Sequence, residues 1–180
     1  MKLHLAIALF LLAACIGAED SKPKTVKSEQ GRFEIASPVD LKESVQKSET
    51  KSGPVEFHIF SGVSSGTTYM LFYNDLPPDA LQKKTADEML ANARDKAVAG
   101  MKGKLLDDKK VELDGYAGRD FRYEYNAADG SKMFSRTRAM LVKDRFYQVK
   151  AILPRDDAKR DEAKERAVNE FFESFKLVKN

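Results

Sequence analysis

Between Tyr116 and Leu153 the chain offers three strand-length runs in succession, parted only by Asp129-Gly130 and Lys143-Asp144. The first run sets Phe121, Tyr123 and Tyr125 on one side against Asp120, Arg122 and Glu124 on the other. That two-residue alternation belongs to a strand with one buried face. Asp-Gly suits a tight turn that needs left-handed backbone, and Lys143-Asp144 is short enough for a two-residue hairpin loop. Strands joined this closely pair antiparallel, because a parallel neighbour requires a long crossover. The region is therefore committed to a meander.

Strand patterning continues upstream. Arg32 to Ala36 alternates and predicts a first strand closed by Ser37-Pro38, and Leu41 to Lys47 predicts a second. Val55 to Ile59 alternates again, and Ser64-Ser65-Gly66 turns the chain into Thr67 to Tyr73, which predicts a β-hairpin. Asn74 to Pro78, with consecutive prolines, breaks the pattern, and a short strand is expected around Lys109 to Leu113. Two segments have helical period instead. Thr85 precedes Ala86, Met89, Leu90, Ala93, Ala97, Val98 and Met101, with Asp87 and Glu88 in the first turn and Gly100 and Gly103 at the end. Beyond Pro154, Asp156 or Asp157 is the expected cap of a closing helix that aligns Val168, Phe171, Phe172 and Phe175. Strands, helix, strands, helix, without a βαβ rhythm, predict an α+β domain: an antiparallel sheet of about six or seven strands with two main helices packed on it.

Ahead of this domain, Lys2 precedes an apolar run from Leu3 to Leu12 interrupted only by His4. A bilayer-spanning helix needs about 20 apolar residues, so the run fits the core of an export signal instead. Leu12-Ala13-Ala14-Cys15 resembles the lipobox of bacterial lipoproteins, and the resemblance implies cleavage before Cys15 and acylation of its thiol. Two or more acyl chains anchor firmly where one binds marginally. Residues 1–14 are then the export signal, 15–30 the lipid attachment and a flexible tether, and 31–180 one domain. The tether is expected because Glu19 to Gln30 is charged and has no apolar period. Ile16, rather than Asp, after the cysteine resembles an outer-membrane address facing the periplasm. The alternative is cleavage after Ala18, which discards Cys15 and leaves a soluble secreted or periplasmic protein.

The formal charge of +3 falls by one if Lys2 is removed, too little to imply a nucleic-acid partner. A single cysteine excludes a disulfide within the chain, so stability rests on packing. Beyond the leader only one histidine remains, His58, and no serine sits in a G-x-S-x-G context. On a strand between Phe57 and Ile59 it points to the face opposite theirs and reads as a surface or packed residue. Asp107-Asp108 and Asp156-Asp157 match no calcium loop, and there is no His/Cys cluster, P-loop or G-x-G-x-x-G. No cofactor or metal is expected. An enzyme would have to work with carboxylates, tyrosines or His58.

One constellation is basic. Counting outward from a Lys143-Asp144 loop pairs Arg138 with Val149 and Arg136 with Ala151, which puts both arginines on the face of Met140, Tyr147 and Val149. Arg119, from the neighbouring strand, is expected to join them. Guanidinium forks bind carboxylate or phosphate bidentately, so the three read as a groove for a small anionic ligand or an acidic partner segment. Weighed against it, and preferred, is the reading that these arginines pair with local Asp and Glu or simply face water.

Several short motifs carry a family likeness: Gly31-Arg32-Phe33, Gly115-Tyr116-Ala117-Gly118-Arg119-Asp120-Phe121, Arg136-Thr137-Arg138, Arg145-Phe146-Tyr147-Gln148-Val149 and Phe171-Phe172-Glu173-Ser174-Phe175-Lys176-Leu177. With these the chain resembles uncharacterised exported bacterial proteins of the PsbP-like fold, named for an extrinsic subunit of photosystem II. The resemblance implies an antiparallel sheet sandwiched by helices and a role in binding or assembly. It implies no activity. No photosystem-binding or metal-binding residue of that family maps onto a position here.

Overall fold

The computed structural model describes residues 23–50, 53–155 and 161–178. The expected export signal and Cys15 lie outside the described residues. The strands are β1 (Lys24–Ser28), β2 (Phe33–Ser37), β3 (Lys42–Thr50), β4 (Gly53–Ser64), β5 (Thr67–Asp75), β6 (Lys104–Leu113), β7 (Tyr116–Asn126), β8 (Lys132–Val142), β9 (Arg145–Pro154) and β10 (Lys176–Leu177). The helices are α1 (Pro78–Lys83), α2 (Ala86–Gly100) and α3 (Glu162–Glu173). One antiparallel sheet has seven strands in the order β3-β4-β5-β9-β8-β7-β6, and a second has the order β1-β2-β10.

The hairpins form where turn chemistry places them. β4 and β5 join through Ser65-Gly66, and β8 and β9 through Lys143-Asp144, which aligns Arg136 with Ala151 and Arg138 with Val149 as counted from the sequence. The two meanders, β3-β4-β5 and β6-β7-β8-β9, then merge along β5 and β9, whose register runs from Thr68↔Ile152 to Asp75↔Arg145. β6 begins earlier than expected, at Lys104, with a bulge between Leu105 and Asp107.

Alternation gives the large sheet two buried faces. On one, Phe60, Tyr69, Leu71, Tyr73, Met140, Tyr147 and Val149 meet Phe33 and Ile35 of β2, Val168, Phe171 and Phe172 of α3, and Phe175. On the other, Phe121, Tyr123, Tyr125, Ala139 and Phe146 meet α2 through Leu90, Ala93, Ala97 and Val98. The stripe of α2 is only half used: Leu90 is fully buried, whereas Met101 is exposed. Its start is the predicted one, with the Thr85 hydroxyl accepting from Glu88 N–H and the Glu88 carboxylate accepting from Thr85 N–H.

Two expectations are corrected. The flexible tether assigned to 15–30 does not extend through 24–28, because β1 pairs with β2 from Lys24↔Ser37 to Ser28↔Phe33. Its pattern is polar because it is an edge strand, held by backbone hydrogen bonds and contributing Val26 to the core. The folded unit therefore starts before Gly31. Asp161, not Asp156 or Asp157, caps α3, accepting from the N–H groups of Ala163 and Lys164; the other two aspartates lie outside the described residues. The pattern break expected over Asn74 to Pro78 comes after Asp75, where β5 ends, and the chain continues into the short helix α1, with Pro78 in its first turn, where a proline loses no helical hydrogen bond.

Candidate functional site

Arg136 and Arg138 share a face, and α3 covers them. Arg136 grips Asp120 with two bonds, Nε to Oδ1 at 3.2 Å and Nη2 to Oδ2 at 2.9 Å, and reaches Asn169 Oδ1 at 2.8 Å. Its guanidinium lies 4.2 Å from the Phe172 ring centre. Arg138 donates to Asp120 Oδ2 at 3.1 Å, to the Phe172 carbonyl at 3.1 Å and to Glu173 Oε1 at 2.9 Å. The Phe172 carbonyl belongs to the last turn of α3, which lacks intrahelical donors, so a cation there satisfies both the bond and the helix dipole. The predicted groove is thus occupied by the protein's own helix, and the local-pairing reading describes these two arginines.

Arg119 does not join them, which corrects the expected trio. Its neighbour Asp120 faces Arg138 across the β7–β8 pair, so strand alternation turns Arg119 to the opposite face, beside α2. There Nη1 donates to Asp108 Oδ2 at 2.5 Å and Nη2 to Asp87 Oδ1 at 2.9 Å, while Arg94 of α2 also pairs with Asp108. Hydrogen bonds from Lys110 and Arg119 hold the Asp87 carboxyl below its ordinary pKa. This cluster clamps α2 to β6 and β7.

His58 is packed, one of the two placements the sequence left open. Its ring stacks on Tyr73 at 4.5 Å and 3°, and Nδ1 lies 3.2 Å from Glu43 Oε1. Arg145 sits 4.7 Å from the Tyr73 ring centre and holds Asp75 bidentately at 2.5 and 2.7 Å. Those bonds lower the Asp75 pKa, and burial raises that of Tyr73. Arg145 also donates to the Gln30 carbonyl, and Tyr147 Oη donates to the Gly31 carbonyl at 2.7 Å. These contacts bind the β1–β2 turn to the large sheet. No group of three or more potential metal-ligating His, Cys, Asp or Glu side chains occurs among the described residues.

A cleft opens where that turn meets the β6–β7 and β8–β9 turns and the end of β10. Arg32, Lys143, Asp114, Tyr116 and Tyr147 supply its polar lining, and Val142, Leu177 and Val178 its apolar wall. Arg32 and Lys143 occupy left-handed backbone, at φ 54° and 57°. Among the described residues neither side chain makes an ion pair, although Arg32 lies close enough to lower the pKa of Asp75. Sequence reasoning missed this site because its residues come from four separated turns and ends. The only local sign was a long cationic side chain at two turn positions that favour Gly or Asn.

No protein-family model matches the chain, and no curated protein matches it. Among solved structures, the chain is similar to cyanobacterial PsbP (CyanoP) from Synechocystis sp. PCC 6803, with a TM-score of 0.58 and 13% identity over 93% of this chain and 99% of that one. A protein of unknown function from Pseudomonas aeruginosa, PA94, aligns at a TM-score of 0.44 and 13% identity, over 88% of this chain and 98% of that one. The fold is PsbP-like, as the sequence motifs implied. At this identity the likeness concerns the fold alone.

Proposed function

We propose that this chain is a non-catalytic binding or assembly module of the bacterial cell envelope, anchored through acyl chains on Cys15. In this reading it sits on the outer membrane, faces the periplasm and uses the Arg32–Lys143 cleft to receive an anionic group from a protein partner or a small ligand. One observation carries the proposal: His58, Arg119, Asp120, Arg136 and Arg138 are committed to internal contacts, while Arg32 and Lys143 line a cleft with no ion pair to a described residue. A guanidinium and an ammonium beside an apolar wall suit a carboxylate on an apolar body. The PsbP-like fold fits a binding role without dictating one.

The anchor and the cleft are tested separately. Intact-mass analysis of the mature protein distinguishes an acylated Cys15 from a chain starting at Glu19, the secreted alternative. A photoreactive residue replacing Tyr116 is then crosslinked in cells, with Lys96 on α2 as the control position. The expected adduct forms at position 116 and disappears in an Arg32→Ala/Lys143→Ala variant. Adducts that survive that variant, or form equally at position 96, would remove the cleft from the reading. A hydrolytic activity of envelope fractions that vanishes with His58→Ala would favour the enzyme instead.

A further inference from the structure

We infer that the end of the large sheet carrying Val63, Met101, Leu105 and Leu106 rests on the anionic phospholipid surface to which the chain is tethered. The inference relies on the proposed lipid on Cys15 and specifies how the domain lies against the bilayer.

Of the five large apolar side chains exposed among the described residues, four lie at this end, and the fifth, Val45, is on β3. Val63 is 64% exposed, Met101 42%, Leu105 39% and Leu106 40%. Three of these four fall within six residues, where α2 gives way to β6 and the bulge at Leu105–Asp107 interrupts pairing on the edge strand. Lys102 and Lys104 lie beside Met101, Leu105 and Leu106 in the chain and line one groove with Glu124, Tyr125 and Asn126. Basic and apolar side chains together are what an anionic membrane surface recognises, the lysines through lipid phosphates and the apolar groups through the interfacial region.

The register puts the chain's point of departure at the same end. A continuous row of paired residues crosses the sheet from Val63 through Thr68, Ile152, Ser135 and Tyr123 to Leu105. Sheet twist rotates strand directions about such a row without moving residues off it. β1 begins beside its first residues: Lys24 pairs with Ser37 and bonds Asp40, and the Asp40 carbonyl lies 2.5 Å from where a Cβ on Gly62 would be. The row spans five strand intervals, about 24 Å at about 4.8 Å each. From Cys15 to Pro23 the chain can reach about 27 Å at about 3.4 Å per residue. A lipid on Cys15 can therefore enter a bilayer lying along the whole row. The Arg32–Lys143 cleft, at the other end of β2 and β8, then points away from the membrane toward a partner.

The test uses the full mature protein reconstituted in phosphatidylcholine vesicles, with and without phosphatidylglycerol. Fluorophores are placed through Leu105→Cys, Val63→Cys or Lys143→Cys, and quenching by a lipid-borne nitroxide is measured. Quenching several-fold stronger at 105 and 63 than at 143, enhanced by phosphatidylglycerol and reduced by K102E/K104E at unchanged Tm, is the expected result. Equal quenching at 143, or none at 105, overturns the inference while leaving the anchor intact. If intact mass shows no acylation, the anchored reading falls and the surface is judged by flotation alone. Binding to phosphatidylglycerol vesicles that K102E/K104E abolishes would sustain it, and absence of binding would end it.

Discussion

Asp120 accepts hydrogen bonds from two guanidiniums inside the fold, with Arg136 in the better-buried position and Arg138 nearer the surface. Removing one partner leaves a buried carboxylate under-compensated, a penalty that exceeds the net value of the pair. Arg136→Ala is expected to lower unfolding free energy by about 3 kcal/mol, and Arg138→Ala by about 1 kcal/mol because water can replace it. Urea denaturation of both variants checks the order, and a larger loss from Arg138→Ala would contradict it. Asp75 provides a pH-dependent counterpart. Its folded pKa is lowered by hydrogen bonds from Arg145, so its contribution is complete above the unfolded carboxylate value and is lost as pH falls toward the folded one. Asp75→Asn should therefore be less stable than wild type at neutral pH, with the difference beginning to shrink below about pH 4 and gone only below the lowered folded value. Parallel urea titrations across pH read this directly. The arginine pair was legible from turn counting, because hairpin register is arithmetic. The cover over the pair was not, since strand alternation places Asp120 on the arginine face but says nothing of α3, which closes over it.

Elements owe their limits to local chemistry. The capping box at Thr85 satisfies otherwise orphaned donors at the start of α2, and Thr85→Ala is expected to cost about 1 kcal/mol. Thermal unfolding monitored by circular dichroism should show the drop, and no change would mean that packing of Leu90 alone holds the helix. Both main helices, the β4–β5 hairpin and the β6-β7-β8-β9 meander were readable because apolar period and turn residues agree there. β1 was not readable. Its sequence, Lys24-Thr25-Val26-Lys27-Ser28, reads as polar chain, and its structure comes from the free edge that β2 offers it. The same reasoning explains β10, whose two residues close the small sheet on the other side of β2.

At the scale of the molecule, Phe33 is where the sheets meet: it contacts Phe60 edge-on at 5.2 Å and stacks near Phe175 at 6.2 Å, with no exposed surface. Phe33→Ala should destabilise by about 3–5 kcal/mol. Tyrosine fluorescence and far-UV dichroism should still report one coincident transition. Separate transitions would mean that the two sheets are independent units. The sequence by itself determined the antiparallel hairpins, the helix caps and the apolar faces, since each depends on residues a few positions apart. Only the tertiary structure decided that β5 joins β9, that α3 buries the arginines and that Arg119 lies apart from them. It also brought four distant turns and ends together around Arg32 and Lys143. Those outcomes arise when buried faces and unpaired strand edges find one another across long stretches of chain, and no local period records that choice.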